Sequence, residues 1–377
     1  MREKMMARPQ TGLLASNKFK LGLFAMNCSN GLCMTTAPER WDASWANNKR
    51  AAKLADEAGI DFLLPIGRWH GYKGSTDTQG SSFETLAWAG GLLACTNQIS
   101  VCGTLHVRFL NPIFAAKQMT TIDHIGEGRF ALNIVSGWNH GEFDMFGIEL
   151  IPHETRYNYT EEWVNIVKRV WSEDDPFDFT GQWHQLKGVQ GKPKPWGETF
   201  PLLLSAGSSI EGRGFAARHV DCLFTSVQDM SAVAGNVAGV RTIAADAGRE
   251  VGVFASGHTI ARPTRREAEE YYHYIVHEMG DWDAAEHAAS IRLKGRETRY
   301  DQVEKMKERL VSGLGTCPVI GSYDDVADTF SRLSASGLDG MALGMVNYID
   351  EMPHLRDGVL PRLERSGLRI PFNRFQL

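Results

Sequence analysis

The sequence predicts an α/β fold in which parallel strands alternate with helices and close into a (β/α)8 barrel. Three observations carry that expectation. Eight short β-compatible runs are separated by segments of helical periodicity. The run FALNIV is apolar at nearly every position, as a strand buried on both faces must be. Polar and aromatic residues then gather behind consecutive strands, most densely in the loop expected from Ser136-Gly137-Trp138-Asn139-His140 onward, and strand C-termini are where parallel α/β proteins bind ligands. Alternating βα units also build doubly wound sheets, but a count of eight favours closure. The first strand also runs into NCSNGLC rather than a Gly-x-Gly-x-x-Gly turn.

Behind a polar leader, residues 19–26 read as the first strand, followed by the turn-prone Asn30-Gly31. Ala51, Leu54, Ala55 and Ala58 fall at helical spacing, which predicts a helix over 42–58 with Gly59 just past its end. The second strand spans 62–66, and a long loop leads to a helix over 83–95 that Ser81 or Ser82 is expected to cap. The third strand covers 99–105. A helix over 112–124 follows with Pro112 in its first turn, then the fourth strand over 129–135. Tyr157, Val164, Val167 and Trp171 mark one face of a helix over 155–171. Aromatic and polar residues alternate around Thr180-Gly181, which predicts a hairpin inserted over about 177–186.

Residues 200–205, 220–224 and 251–260 supply strands five to seven, with helices beginning near Ser209 and Asp229. Residues 262–311 carry helical patterning without strand signal and are longer than one crossover requires, so they read as a helical insertion. Ser322 to Asp325 opens a helix like a capping box, Gly337 ends it, 340–345 makes the eighth strand and 350–363 the closing helix. The whole chain, 1–377, is expected to be one domain.

Composition narrows the function. With 43% hydrophobic and 23% charged residues the chain lies near the globular average. A net charge of −5, from 40 basic and 45 acidic side chains without a Lys/Arg cluster, argues against a nucleic-acid partner. No apolar run approaches the roughly 18 residues a membrane helix needs. MREKMMARPQTG also lacks an apolar core, so no membrane association and a cytoplasmic location are expected. The six cysteines form no CxxC pair and several lie in apolar runs, so neither disulfides nor a metal site is expected. A metal-dependent barrel hydrolase would need a His-x-His or a His/carboxylate cluster at a strand end, and neither occurs.

The candidates for chemistry sit at strand ends: Asn27 and Asn30, Gly67-Arg68-Trp69-His70, Thr104 to Arg108, and Asn133 with Ser136 to His140. Any one of them has a structural explanation, since a barrel mouth needs filling. Their concentration on one rim points to a site. After the fifth strand, Gly207, Ser208 and Ser209 lead into a helix whose free N–H groups form an anion site, and Arg156-Tyr157 offer a guanidinium and a phenol to the same anion.

The block AAKQMTTIDHIGEGRFALNIVSGWNHGEFDMFG, together with IGSYDDVAD, resembles the bacterial-luciferase-like flavin monooxygenases, and within them the branch of pyrimidine, dimethylsulfone and alkanesulfonate monooxygenases. The resemblance runs from about residue 20 to 363. It implies a TIM barrel of the luciferase-like type that uses O2 and reduced FMN, the flavin being reduced by a separate NAD(P)H:flavin reductase, to oxygenate a small molecule. A homodimer or homotetramer is implied as well.

Carried over residue by residue, it implies that Gly67, Arg68, Thr104, Asn133 and Glu142 contact the flavin ring side. Arg156, Tyr157, Ser208 and Ser209 fall at its phosphate. Thr104 and Asn133 hold dioxygen, and His140 is a further catalytic candidate, although His70 and His106 compete for any proton-transfer role. Thr104 tilts the expectation toward the pyrimidine type, hence a small, electron-poor heterocyclic amide or pyrimidine-like substrate oxygenated with cleavage of a carbon–heteroatom bond. A sulfone or sulfonate, or FMN binding without turnover, are the alternatives. Arg68 stands where pyrimidine monooxygenase has lysine, and RWHGYKGSTDTQGSS and HVRFLN are bulkier and more basic than their counterparts. The flavin site therefore transfers better than the substrate.

Overall fold

A computed structural model describes residues 8–207, 209–293 and 300–372. The strands are β1 (Lys20–Phe24), β2 (Phe62–Leu64), β3 (Ser100–His106), β4 (Phe130–Val135), β5 (Phe177–Thr180), β6 (Gln185–Val189), β7 (Leu202–Ala206), β8 (Cys222–Thr225), β9 (Gly252–Arg262), β10 (Cys317–Ser322) and β11 (Gly340–Gly344). β1, β2, β3, β4, β7, β8, β9 and β11 pair in that order, all parallel, and β11 returns to β1 with Lys20 opposite Gly340 and Leu23 opposite Leu343. The ring closes.

Period-two alternation fills the ring from inside. Phe62, Leu64, Cys102, Ala131, Leu204, Phe224, Phe254 and Ala342 form an interior cluster, and Leu13 from the leader joins it with its N–H donating to Ser100 Oγ at 3.0 Å. The supposedly polar leader thus plugs the N-terminal end of the barrel.

The outer layer comprises α1 (Trp45–Ala58), α2 (Thr85–Leu93), α3 (Pro112–Ile125), α4 (His140–Met145), α5 (His153–Ser172), α6 (Ile210–His219), α7 (Val233–Asp246), α8 (Arg265–His273), α9 (Trp282–Leu293), α10 (Tyr300–Gly313), α11 (Tyr323–Ala335) and α12 (Leu360–Arg365). Their apolar faces meet the strands in the main core, where Phe330 and Val167 are buried, each burial contributing roughly 1.5–3 kcal/mol. Gly59 ends α1 at φ +78°, the left-handed geometry that favours glycine. No described helix is long and apolar enough to cross a membrane.

Both insertions form. β5 and β6 make an antiparallel hairpin whose tip is tied to α5, since Glu162 accepts from the N–H groups of Gln182, Trp183 and His184. The excursion carries α8, α9 and α10, of which residues 294–299 lie outside the described residues. Its Ile275, Ala284, Ala288, Leu310 and Val311 pack on Ala25, Leu32 and Tyr72, so it covers one side of the barrel mouth.

Five expectations need correction. α2 is capped by Glu84, whose carboxylate accepts from Leu86 N and Ala87 N, while Ser82 Oγ donates instead to Arg68 O. α1 begins at Trp45, because Ser44 is its cap. The segment behind β4 is not all loop, since Asn139 caps the short helix α4. A π-helical turn (His354–Val359) precedes α12, so the closing helix is not one regular element. Finally, β10 is a ninth parallel strand on the outer half of β9, with Cys317 opposite Gly257 and Ser322 opposite Arg262. Pro318 and Gly321 hid it. As β10 pairs with β9 alone, its free edge tolerates the missing proline N–H.

Candidate active site

Two cavities open among the loops at the C-terminal end of the barrel. The first, about 410 Å³, has an apolar floor of Phe24, Leu64 and Phe224 and reaches Trp138, Arg156, Tyr157, Gly207 and Ser209. The second, about 380 Å³, lies over the β2–α2 and β3–α3 connections and is lined by Gly67, Arg68, Trp69, Thr104, His106, Phe109 and Phe146.

The far end of the first cavity is built for an anion. Ser209 caps α6, its Oγ accepting from Gly212 N at 3.1 Å, and leaves the other first-turn N–H groups free for a ligand. A Cβ at Gly212 would lie 2.6 Å from the Tyr157 hydroxyl and force it to shift, and one at Gly207 would lie a tight 3.1 Å from Gly212 Cα, so glycines leave this cradle open. The Arg156 guanidinium is held at its root, Nε donating to Ile151 O at 2.7 Å and Nη1 to Gly137 O at 3.0 Å. Burial raises the Tyr157 phenol above its ordinary pKa and a hydrogen bond with Ser209 opposes the rise, so it stays a donor. His153 also lines this end, 3.9 Å from Glu211. Sequence reasoning missed His153, although its i, i+4 spacing to Tyr157 puts both on one face of α5.

The inner end is shared by the two cavities. Thr104 and Asn133 are register partners on β3 and β4, with Asn133 lining the first cavity and Thr104 the second. Asn133 Nδ2 donates to Thr104 Oγ1 at 3.3 Å, and Thr104 Oγ1 donates to Pro65 O at 2.6 Å. Asn133 Oδ1 is buried and has no partner. A buried amide oxygen left unpaired costs about 1–3 kcal/mol, so this wall offers an acceptor to any ligand donor that reaches it.

Beside the pair stands a buried charge cluster. Glu142 of α4, fully buried, accepts at Oε1 from Arg68 Nη1 at 3.2 Å and Trp69 N at 3.1 Å. Arg68 also donates from Nε to Gln79 and from Nη2 to Tyr72, and its guanidinium lies over the rings of Tyr72 and Trp138. Its charge is fully engaged within the protein. His106 Nε2 faces Glu142 Oε2 at 4.0 Å, and burial, helped by Arg68, lowers the imidazole pKa to about 4, so it is neutral at physiological pH.

Of the residues singled out from the sequence, Gly67, Arg68, Thr104, Asn133 and Glu142 come together at the inner end, and Arg156, Tyr157 and Ser209 at the anion end. Ser208 lies outside the described residues. His140 is exposed at the start of α4 and lines neither cavity. Tyr72 and Gln79, which hold Arg68, carry no local sequence signal because both sit in an irregular loop.

Residues 19–340 match the family model described as luciferase-like monooxygenase. An FMNH2-dependent dimethylsulfone monooxygenase of Pseudomonas fluorescens is 29% identical, over 92% of this chain and 95% of its own length. A pyrimidine monooxygenase RutA of Enterobacter sp. is 27% identical, over 92% and 96%. Among solved structures, a long-chain alkane monooxygenase superposes with a TM-score of 0.84 at 19% identity, covering 95% of this chain and 94% of its own. A riboflavin lyase crystallised with modified FMN and riboflavin gives 0.84 at 21%, covering 93% and 92%. At such identities these two likenesses speak for the fold.

Proposed function

The chain belongs to the luciferase-like monooxygenase family, and on that premise we propose that it is a two-component flavin monooxygenase that oxygenates a small, electron-poor heterocyclic amide, with FMN in the first cavity. The observation that supports this most is the polarity of that cavity. It has a glycine cradle, a helix N-terminus, Arg156 and Tyr157 at one end, and an apolar floor with one unpaired acceptor, Asn133 Oδ1, at the other. A dianionic phosphate on an apolar ring with an N–H edge has the same order of groups.

Reduced FMN supplies the electrons that activate dioxygen. The protein's part is then to bind, orient and exclude water. Ser209, Arg156 and Tyr157 hold the phosphate, and Asn133 accepts from the ring edge. Thr104, with its proton committed to Pro65, fixes the Asn133 amide. The aromatic rim of Trp69, Phe109 and Phe146 shields the site from solvent.

The heterocyclic amide is preferred over a sulfonate because Arg68, which lines the second cavity with Thr104, is already paired with Glu142. A sulfone is the second reading, favoured by the 29% identity to a dimethylsulfone monooxygenase and by needing no free cation. The test supplies FMN, NADH, a flavin reductase and 18O2 with a panel of lactams, sulfones and sulfonates. Label in a lactam product supports the first reading and label in a sulfone product the second. Oxygen-independent turnover, or FMN that fails to bind, defeats both.

A further inference from the structure

Gly67 and His106 both line the second cavity, which the flavin reading leaves without an assigned ligand. A Cβ at Gly67 would lie 3.3 Å from His106 Nδ1 and 3.3 Å from Cε1, so only the glycine backbone, with no side chain, stands against the Nδ1 side of the ring. The opposite edge faces Glu142, whose Oε2 is buried without a hydrogen-bond partner 4.0 Å from His106 Nε2. Among the described residues neither ring nitrogen of His106 makes a hydrogen bond, although the side chain is only 4% exposed. Phe109 packs on the ring at 5.1 Å and 30°, which keeps it from turning freely.

These facts decide the tautomer. A neutral imidazole carries one N–H and one bare nitrogen. With a fixed carboxylate oxygen on the Nε2 side, the proton belongs on Nε2, because a lone pair there would face an anion. Nδ1 is then bare and accepts. Burial keeps the ring from taking a second proton at neutral pH. The walls beyond it, Phe109, Phe146, Trp69 and Leu110, are apolar and mostly aromatic, and Arg68 is already paired with Glu142.

We infer that this second cavity receives the substrate as an uncharged flat ring bearing an N–H donor, with His106 Nδ1 as its acceptor and Glu142 as the positioning residue that sets the tautomer. The inference rests on the flavin reading for the reaction itself and adds the group that reads the substrate. A sulfonate offers no donor to Nδ1 and finds no free cation in Arg68, so it is disfavoured on both counts. Thr104 lines the same cavity, which places a ring bound there next to the Thr104–Asn133 wall.

The experiment uses the full chain loaded with oxidised FMN and titrates it with uracil, 1,3-dimethyluracil and methanesulfonate by calorimetry. Uracil is expected to bind about tenfold more tightly than its N-methylated twin, the size of one hydrogen bond to a buried acceptor. His106→Phe should abolish that preference while FMN affinity is retained. Glu142→Gln carries a sharper expectation. Its Oε1 keeps the bonds from Arg68 and Trp69, so its NH2 group faces His106 Nε2 and moves the ring proton to Nδ1. The preference for uracil then disappears or reverses, and the 15N shifts of His106 change tautomer, which a merely structural role for Glu142 would not produce.

Equal binding of uracil and dimethyluracil to the wild-type protein, tighter binding of methanesulfonate, binding of none of the three, or an Nδ1–H tautomer in the wild type would each overturn the inference. Normal FMN binding in those cases leaves the flavin reading in place, whereas loss of FMN binding by the wild type would sink that reading separately. If His106→Phe does not fold, the wild-type pair of ligands and the 15N shifts decide.

Discussion

Arg68 shows how one residue ties stability to the site. It makes three hydrogen bonds with a side chain 8% exposed, and Glu142 behind it is wholly buried. Arg68→Met should therefore destabilise the protein by about 3–5 kcal/mol, because it strands a buried carboxylate. The double variant Arg68→Met/Glu142→Leu should recover most of that loss in urea denaturation. Equal instability of single and double variants would show that packing, rather than charge, is what Arg68 supplies. At the anion end, Ser209→Ala and Arg156→Ala should each weaken FMN binding by about 1.5–3 kcal/mol, measured by quenching of flavin fluorescence. Unchanged affinity in the double variant would reject this phosphate site.

Among the elements, α11 depends most visibly on its ends. Ser322 and Asp325 form a reciprocal capping box, and Arg265 of α8 reaches across to Asp325. Ser322→Ala should cost about 1 kcal/mol, read as a lower denaturation midpoint. Hydrogen bonds from Arg265 and Ser322 hold the Asp325 carboxyl at about 2 against its ordinary 3.8. A depressed carboxylate stabilises the fold fully above its unfolded pKa and loses that contribution as pH falls through its folded one. The contribution of Asp325 should thus fade between about pH 4 and 2, and Asp325→Asn should flatten stability against pH in that window alone. The capping pattern was legible in SYDD, whereas the Arg265 partner lies 60 residues away and has no local trace.

For the molecule as a whole, two buried histidines weaken the fold toward acid. His106 and His258 both have pKa values lowered by burial to about 4 from 6.5, the second beside the Cys33 thiol at 3.4 Å. Unfolding lets both take protons, so the unfolded chain binds more protons between those values and stability must fall as pH drops from about 6.5 to 4. His258→Gln should reduce that slope in denaturation series, the remainder coming from His106 and from His219, His287 and His354, whose pKa values burial also lowers. A slope unchanged from wild type would mean that His258 is protonated in the folded protein. Assembly is a separate expectation, drawn from the family resemblance: a homodimer or homotetramer. The groove of Leu86, Ile122, Ile125 and Phe114 between α2 and α3 offers an apolar face to a second copy. A monomer mass by light scattering at micromolar concentration would remove it.

The eight barrel strands, the hairpin and the helical excursion were determined by local pattern, because burial on one face or both imposes a period that a linear sequence displays. Ser209 and Gly207 before α6 were legible for the same reason, since a helix start is a local event. The tertiary structure alone decided the ninth strand, which exists only because β9 presents an edge to it, and the Glu84 cap, chosen over Ser82 once Ser82 found Arg68 O. It alone paired Arg68 with Glu142, 74 residues apart, and separated His106 from His70 and His140 as the imidazole backed by a buried carboxylate. Those outcomes depend on which groups share a low-dielectric space after folding, and charge pairing across such a space leaves no periodicity in the chain.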